Sequence, residues 1–394
     1  MAFLDYDGLK RYTEKLKSWV SANFVPNVPT SWAQIQREVR LGHGAVLFPV
    51  GSQLTLKHSV YGDIAMDVVS HDTVKKAKLS EDGQAQYDAD GKITAVENAH
   101  TMTLMAHDCI VNLQYDSAEA MYYAESGLAA GTYNFTVGAA YLQWAAGTYQ
   151  FTLTQAVPAG GQLCIGGNAG RALTALKVNS YASASSTSVI ESAAITSGSE
   201  GTSLGTLGTE LNHAQRISYG SNNYKESALR QMLNSDAAAG SVWTAQTYFD
   251  RPPTWAASTA GFLNGCDTDF LDAIATAVVK CSANDTYECP TSMGGTVTKN
   301  TAYEVADKIF MASATEVGLN GGGVADRSTL FQYYDGAEDA DRIKTLSDAA
   351  NPWWIRTMQT GLPAYMRLVG KNGTISYTMA MASGAGIAPA CIIA

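Results

Sequence analysis

Two neighbouring pairs, His71-Asp72 and His107-Asp108, contain the residue types that a proton-transfer site would use. Adjacent side chains on a strand point to opposite faces of a sheet, so neither pair forms a catalytic dyad by itself. The chain contains no H-E-x-x-H motif, no other paired histidine spacing and no G-x-S-x-G nucleophile motif. We therefore expect structural or surface histidines and no enzyme activity.

The six cysteines are scattered along the chain and form no C-x-x-C motif. Cys281-x7-Cys289 is compatible with a local disulfide or with half of a metal site, but no histidine lies near it. Cys391 lies in an apolar run, where a buried thiol is unreactive. We expect free, buried thiols, no metal and no cofactor.

Composition limits the partners of this protein. Its 394 residues, 46% of them hydrophobic and 16% charged, are enough for two or three globular domains. The net charge of −10 argues against a nucleic-acid partner, which requires a basic face. No apolar run reaches the length of about 18 residues that predicts a membrane span. Asp5 and Asp7 do not suit an export signal. If the protein reaches the outside of a cell, we expect a route other than general secretion, and release as part of a virion would be such a route.

The first segment, residues 1–29, is predicted to form an amphipathic helix at residues 5–22 and a stiff spacer containing Pro26 and Pro29. An exposed apolar stripe needs a cover. The helix therefore folds back on the main domain, or it self-associates or docks onto other virion proteins. Similar short helices begin many phage structural proteins, which favours docking. The stripe consists of Leu9, Tyr12, Leu16, Trp19 and Val20.

Residues 30–126 are predicted to contain a second helix and a meander of strands. Ser31 is placed to cap the helix, which is expected to run to Arg40 and to end at Gly42. Residues 54–58 and 64–69 flank Tyr61-Gly62-Asp63, a hairpin signal. Further strands are predicted at residues 74–79 and 101–106.

Residues 127–210 are predicted to form an inserted β-rich domain. Only four of the residues from 127 to 209 are charged, and the segment A-G-T-Y-N-F-T at 130–136 is echoed by A-G-T-Y-Q-F-T at 146–152. Each copy alternates apolar and polar residues, as half-buried strands do, and the whole favours a small β-sandwich. A disordered linker is the alternative for residues 180–209, because they lack aromatic residues apart from Tyr181.

Residues 211–394 continue the main domain. A helix is predicted at residues 222–234, capped by Asn222-Asn223, with Leu229, Met232 and Leu233 facing inward. Strands are predicted at residues 274–281 and 308–311. Ser313-x-x-Glu316 has the spacing of a capping box for a helical turn.

The final segment, residues 351–394 (the tail), begins with Trp353-Trp354-Ile355-Arg356 and ends with the apolar run G-I-A-P-A-C-I-I at 386–393, a predicted buried strand. These ends and the turn Val369-x-x-Asn372-Gly373 resemble a large group of phage and gut-bacterial proteins with a C-type-lectin-like fold. Two upstream stretches extend the resemblance, Y-x-x-S-x-L-R-x-x-L-N at 224–234 and D-K-I-F-x-x-S-x-x-E-V at 307–317.

Some members of that group are variable proteins of diversity-generating retroelements, in which a reverse transcriptase rewrites codons near the C-terminus. The resemblance implies that the rewritten side chains form a ligand-binding face and that Trp354, Ile355 and Arg356 belong to the fixed frame. It also makes a homotrimer plausible. Calcium-dependent sugar binding is not inherited, because the chain lacks the E-P-N and W-N-D triplets. A catalytic relative, the formylglycine-generating group, uses cysteines, and this region offers only Cys391.

The tail is rich in large amphipathic side chains and methionine, the residue types that binding faces favour. Tyr377, Met379 and Met381 would project to one face of a strand, although alternating apolar residues can equally be core. We expect Tyr365 and Arg367 to be exposed, whereas Trp353 suits either frame or face. The predicted ligand-binding residues are Trp353, Thr357, Met358, Gln359, Thr360, Leu362, Tyr365, Met366, Arg367, Tyr377, Met379 and Met381.

The sequence therefore predicts an α+β protein: a C-type-lectin-like fold with an inserted small β-sandwich domain and an N-terminal helix. The expected function is display of a ligand-binding surface, as a phage tail or fibre adhesin that attaches to a bacterial cell-surface protein or glycan. It would be made in the host cytoplasm and carried in the virion. The alternative is a structural virion protein that uses the same surface for subunit contacts.

Overall fold

The structure, a computed structural model, describes residue 15 and residues 29–137, 146–165, 176–180, 188–207, 214–247, 249–284, 300–319 and 326–394. The predicted N-terminal helix, apart from residue 15, and Cys289 lie outside the described residues. The fold is α+β with a β-rich body. Among the described helices, none is both long and apolar enough to cross a bilayer.

The α-helices among the described residues are short. The Ser31 side chain accepts a hydrogen bond from the Gln34 N–H, so the predicted cap is confirmed. The predicted helix at 222–234 starts later than expected, with Ser227 as its cap. The Asn222 amide instead donates to Leu362 O, at 2.9 Å, which leaves residues 222–226 outside the helix. The helices are α1 (Trp32–Arg40), α2 (Gly44–Leu47), α3 (Ala214–Tyr219), α4 (Ala228–Leu233) and α5 (Thr268–Ala273).

Most strands are short, and several predicted strands are found close to their expected places. The segment predicted at 74–79 forms only isolated bridges, such as Ala77 with Ala95. The strand predicted at 274–281 is interrupted after Ala275. The strands are β1 (Gln53–His58), β2 (Gly62–His71), β3 (Met102–Ala106), β4 (Tyr122–Ala124), β5 (Gly131–Val137), β6 (Gly147–Leu153), β7 (Gly161–Ile165), β8 (Leu176–Ser180), β9 (Ser188–Ala193), β10 (Thr196–Ser197), β11 (Thr202–Leu207), β12 (Ile274–Ala275), β13 (Ala277–Asn284), β14 (Asn300–Asp307), β15 (Ile309–Met311), β16 (Lys344–Leu346), β17 (Ala349–Asn351), β18 (Trp353–Met358), β19 (Tyr365–Val369), β20 (Ile375–Met379) and β21 (Pro389–Ile393).

The main sheet is built around β21. Its strand order is β1-β2-β3-β21-β12, and β15 also pairs with β21. One edge of β21 pairs with β3, Cys391 lying opposite Leu104. The other edge is shared by β12, where Ile393 lies opposite Ile274, and by β15. All five residues of β21 are buried, which confirms the predicted buried strand and matches a continuous apolar run covered on both faces.

A second hydrophobic core lies under two four-stranded sheets, ordered β10-β6-β5-β11 and β4-β7-β8-β9. The echoed segments become the paired strands β5 and β6, in which Phe135 lies opposite Tyr149. Phe135 and Phe151 are buried in this core. Met121, which precedes residue 127, and Ile217, which follows residue 210, are also part of this core. The proposed boundaries at 127 and 210 stay a prediction.

A cluster of buried acids lies where the two cores meet. Arg216 contacts both Glu119, at 2.5 Å, and Glu226, at 3.1 Å. Asp116 and Asp250 are also buried nearby. Burial raises the pKa of Glu119 to about 8; Arg216 opposes this effect, whereas Asp250 and Glu226 reinforce it. Burial likewise raises the pKa of Asp116, with Asp250 and Glu119 adding to the shift.

Candidate functional site

The tail begins as a buried frame. All six residues of β18 are buried. The Trp353 indole N–H donates to Arg342 O at 3.0 Å, and the Trp354 indole N–H donates to Leu113 O at 2.9 Å. Both indoles are fully buried. The assignment of Trp353 to the ligand-binding set is therefore wrong, because its ring is packed in the core and its only polar atom is hydrogen-bonded.

A buried ion pair fixes this frame to the preceding loop. The Arg356 guanidinium donates to both carboxylate oxygens of Glu316, at 2.5 and 2.6 Å, and also to Lys280 O and Ser328 Oγ. Glu316 in turn accepts from the Ser313 N–H at 2.9 Å, and Ser313 Oγ accepts from the Glu316 N–H at 3.2 Å. These reciprocal bonds confirm the predicted capping box. The Glu316 carboxylate thus accepts hydrogen bonds both from the backbone of its own loop and from Arg356 on β18.

Three further residues expected to bind ligand are interior. Thr357 is 1% exposed; its hydroxyl donates to Asp326 Oδ2 at 3.1 Å and accepts from the Ala314 N–H at 2.8 Å. Met358 and Met366 lie opposite each other in β18 and β19, and both are fully buried. The prediction that these three side chains contact ligand is wrong, because Thr357 and Met358 on β18 and Met366 on β19 are all packed in the interior.

The accessible part of the tail lies mainly on β20, the first residue of β19 and the turns before and after β19, whereas the other four residues of β19 are buried. Tyr365 lies opposite Met379, and Arg367 lies opposite Tyr377, so these four side chains share one side of the two-stranded ladder. Tyr377 is 51% exposed, and Tyr365 and Met379 are half-buried. We call the accessible set the display face: Gln359, Thr360, Leu362, Tyr365, Tyr377, Met379 and Met381.

Tyrosine rings form the middle of the display face. The rings of Tyr365 and Tyr377 pack edge to face with centroids 5.9 Å apart. On the other side of Tyr365, the ring of Tyr219 from α3 lies 5.8 Å away. Edge-to-face contacts hold aromatic rings in defined orientations. Tyr219 was missed by sequence reasoning because it lies more than a hundred residues before its partners and outside the family-like motifs.

Arg367 lies beneath the display face and not on it. Arg367 is buried, with 8% of its surface accessible, so the expectation that this side chain is exposed is wrong. Its Nε–H has no hydrogen-bond acceptor among the described residues. Burial lowers the pKa of the Arg367 guanidinium, and the nearby phenol of Tyr377 opposes that shift. The guanidinium is therefore nearly enclosed and is not part of the accessible surface.

Backbone hydrogen bonds hold the display face in place. The Asn222 amide donates to Leu362 O at 2.9 Å and to Tyr365 O at 3.2 Å. The Gln114 amide donates to Met381 O at 2.7 Å, and the Met381 N–H donates to Tyr219 O at 3.0 Å. Met381 lies beyond the end of β20, so it reaches the face through these contacts and not through strand alternation. The face is consequently preorganised by distant parts of the chain.

The histidines of the two His-Asp pairs contact residues other than the neighbouring aspartate. His107 Nδ1 contacts Asp67 Oδ2 at 2.8 Å and not its neighbour Asp108, and His71 Nε2 contacts Phe48 O at 2.9 Å. Burial raises the pKa of the Cys281 thiol to about 12 and raises that of Cys391 as well. Within the described residues, no group of three His, Cys, Asp or Glu side chains is placed to hold a metal ion.

Comparison with known proteins yields one family. A family model described as "Domain of unknown function (DUF6273)" matches residues 189–394. The match includes β12 to β21 and the whole display face, whereas β1 to β3 of the main sheet precede it. No curated protein and no solved structure matches the chain.

Proposed function

The chain belongs to the DUF6273 family, whose description names no activity, and we propose that it is a ligand-binding display protein: a phage tail or fibre adhesin with a C-type-lectin-like fold. Its ligand would be a protein or glycan on a bacterial surface. The display face would contact that ligand, and a retroelement would diversify the codons of the face. The protein would be carried in the virion, with a homotrimer as its assembled form.

The exposed tyrosine pair carries this proposal. Tyr365 and Tyr377 offer large amphipathic surfaces, and their side chains lose little conformational entropy on binding. Tyr365 lies on β19 and Tyr377 on β20. The strand β18, which pairs with β19, is anchored in the interior by its buried residues Trp353, Trp354 and Arg356. A face that varies in sequence needs such a division, because substitutions at exposed positions leave packing intact.

Two features support the lectin-like fold. The early strands β1 to β3 lie beside the late strand β21 in one antiparallel sheet, so the beginning and end of the main domain meet. The long connection between them carries hairpins and loops that end in the display face. The same arrangement would allow residues 127–210 to be an insertion in one lectin-like domain, because the strands that precede and follow them share a sheet.

A structural virion role is the second candidate. It is favoured by apolar side chains exposed far from the tail in sequence: Val46 is 83% exposed and Leu41 is 57% exposed, at the ends of α1 and α2. Exposed apolar groups in one region mark contact surfaces. In this role the display face would be covered by a neighbouring subunit.

Cell binding separates the two roles. The labelled protein is incubated with a panel of gut-bacterial strains, and bound protein is measured by flow cytometry. We expect binding to at least one strain, and we expect the double variant Tyr365→Ala with Tyr377→Ala to lose at least about 2 kcal/mol of binding free energy, about thirtyfold in affinity. Val60→Ala is the control, since it removes an exposed apolar side chain that lies outside both the display face and the exposed apolar region at Leu41 and Val46.

Undiminished binding by the double variant would refute the role of the display face. Absence of binding to every strain, together with assembly of the protein into particles that Tyr377→Ala disrupts, would favour the structural role. Diversification is tested separately in nucleotide sequence. The proposal requires a reverse-transcriptase gene and a near-copy of the tail-coding DNA beside this gene.

A further inference from the structure

Three adjoining cavities lie away from the display face, between residues 73–95 and the hairpin of β13 and β14. Their volumes are about 550, 480 and 190 Å³. Glu304 lines all three, and Lys280 lines two of them. We call the three cavities together the lysine groove.

The lysine groove is rich in cations although the protein is acidic. Seven of the chain's 26 Lys and Arg residues line it, against five of its 36 Asp and Glu residues. The chain as a whole carries a net charge of −10, so this balance is reversed locally. The cations are Lys75 and Lys280 at the smallest cavity, Lys225, Arg230 and Lys308 at the largest, and Lys92 and Arg327, with Lys280 again, at the third.

Four of these lysines are free to bind. Lys225, Lys308 and Lys92 are exposed and Lys280 is half-buried, and none of the four forms an ion pair with another described residue. Arg230, in contrast, is held by the Asp307 carboxylate at 2.7 Å. The unused ammonium groups are therefore the part of the groove that can meet an anion.

Much of the acidic lining is already used inside the protein. Glu316 pairs with Arg356, and the Glu304 carboxylate accepts from the Ile93 N–H at 2.8 Å. That bond ties the loop of residues 73–95 to β14. Asp236 and Asp90 remain exposed beside the lysines, where they can accept hydrogen bonds from hydroxyl groups.

The outer wall of the groove is the loop of residues 73–95, which is held by isolated β-bridges and exposes the ring of Tyr87. Bridges pair Ala77 with Ala95 and Tyr87 with Ile93, so the loop is held by its own backbone. Tyr87 is 60% exposed although it lies on this ordered loop and lines the largest cavity. Its ring can stack on the face of a sugar, while the lysines beside it meet carboxylate or sulfate groups.

We propose that the lysine groove binds an elongated acidic oligosaccharide, one that carries carboxylate or sulfate groups together with free hydroxyls. The interleaved Asp90 and Asp236 favour this ligand over nucleic acid, because they accept hydroxyl groups but repel a continuous phosphate backbone. Single-stranded nucleic acid also calls for several stacking rings in a row, and Tyr87 is the one exposed ring among the residues of the groove. The site is independent of the proposed role of the display face.

The probes are hexameric oligogalacturonate and a heparin-derived hexasaccharide, with cellohexaose as the neutral control and dT12 as the nucleic-acid control. Binding to the full chain is measured by isothermal titration calorimetry at two salt concentrations. We expect at least one acidic probe to bind, to weaken as salt rises, and to bind better than cellohexaose or dT12. We expect Lys225→Ala with Lys308→Ala to weaken this binding about tenfold, and Tyr87→Ala to weaken it by a similar factor.

Lys57→Ala with Lys371→Ala is the matched control, since both lysines are exposed and line none of the three cavities. We expect it to bind within twofold of the unsubstituted protein. Tyr365→Ala with Tyr377→Ala is also expected to leave this binding unchanged, which separates the groove from the display face. Unchanged thermal unfolding of each variant shows that it has folded.

The proposal is overturned if neither acidic probe binds or if cellohexaose binds equally well. It is also overturned if dT12 binds more tightly than both acidic probes, or if the control lysine pair causes the same loss as Lys225 and Lys308.

Discussion

Removing Arg356 tests whether the buried ion pair holds the frame of the display face. Arg356→Met keeps an unbranched apolar side chain in place of the arginine stem but removes every donor to Glu316, Lys280 O and Ser328 Oγ. Glu316 would then be left with a carboxylate that is buried and has lost its cation. Breaking a buried pair in this way costs about 3–5 kcal/mol. For a domain of this size that corresponds to a fall in Tm of roughly 6–20 °C.

The assay is urea unfolding followed by tryptophan fluorescence, because Trp353 and Trp354 are buried beside Arg356 in β18. The double variant Arg356→Met with Glu316→Gln removes the uncompensated charge while keeping an oxygen that can accept from Ser313. We expect it to recover at least about 1 kcal/mol relative to Arg356→Met. Arg37→Met is the control, since that side chain is 75% exposed.

A loss below about 1 kcal/mol for Arg356→Met would refute the reasoning, because the buried charge would then be relieved by some other route. The same conclusion would follow if the double variant were less stable than Arg356→Met by the full cost of Glu316→Gln alone. Additive effects would mean that the two side chains do not stabilise the fold as a unit.

Three further perturbations test other parts of the structure. Met366→Ala should cost about 2–5 kcal/mol in the same urea assay, because the side chain is fully buried; a loss under about 1 kcal/mol would contradict its interior position. Gly373→Ala would place a Cβ 1.6 Å from Asp339 O at a φ of 79°, so we expect it to lower Tm far more than Gly361→Ala, which has positive φ but no atom within 4 Å; equal effects would refute the close approach. Burial raises the pKa of Glu119 from 4.5 to about 8, so the folded state binds this proton more tightly than the unfolded state does. The protonated carboxyl therefore contributes to the free energy of unfolding in full below pH 4.5, and this contribution is lost as pH rises to about 8. The urea concentration at the unfolding midpoint should therefore decrease as pH rises from 5 to 8, and Glu119→Gln should make that decrease smaller. An unchanged pH profile in the variant would refute the assignment.

The sequence predicted local structure well where one signal decides it. Ser31 begins α1, Ser313 and Glu316 form the capping box, and the apolar run ending at Ile393 becomes the buried strand β21. Each of these depends on neighbouring residues alone. Burial in the tail was harder to predict, because alternation along a strand does not show whether its second face is covered.

Thr357 and Met358 illustrate that limit. The Thr357 hydroxyl is satisfied by Asp326 and Ala314, both more than thirty residues away, so a polar residue is buried without penalty. Asn222 shows the converse: it has the residue type of a helix cap, but its amide binds the backbone of the tail. The partners of these residues are set by the tertiary fold, which no local pattern encodes.

The position of β21 has a consequence for synthesis. Because this strand lies in the middle of the main sheet and follows the display face in the chain, the sheet cannot close until translation has passed every codon of the face. A stop codon or frameshift introduced there would remove the strand between β3 and β15, and the product would leave the edges of those two strands unpaired. If the display face is diversified as proposed above, only versions translated through β21 could complete the main sheet, so the fold would select against truncated versions.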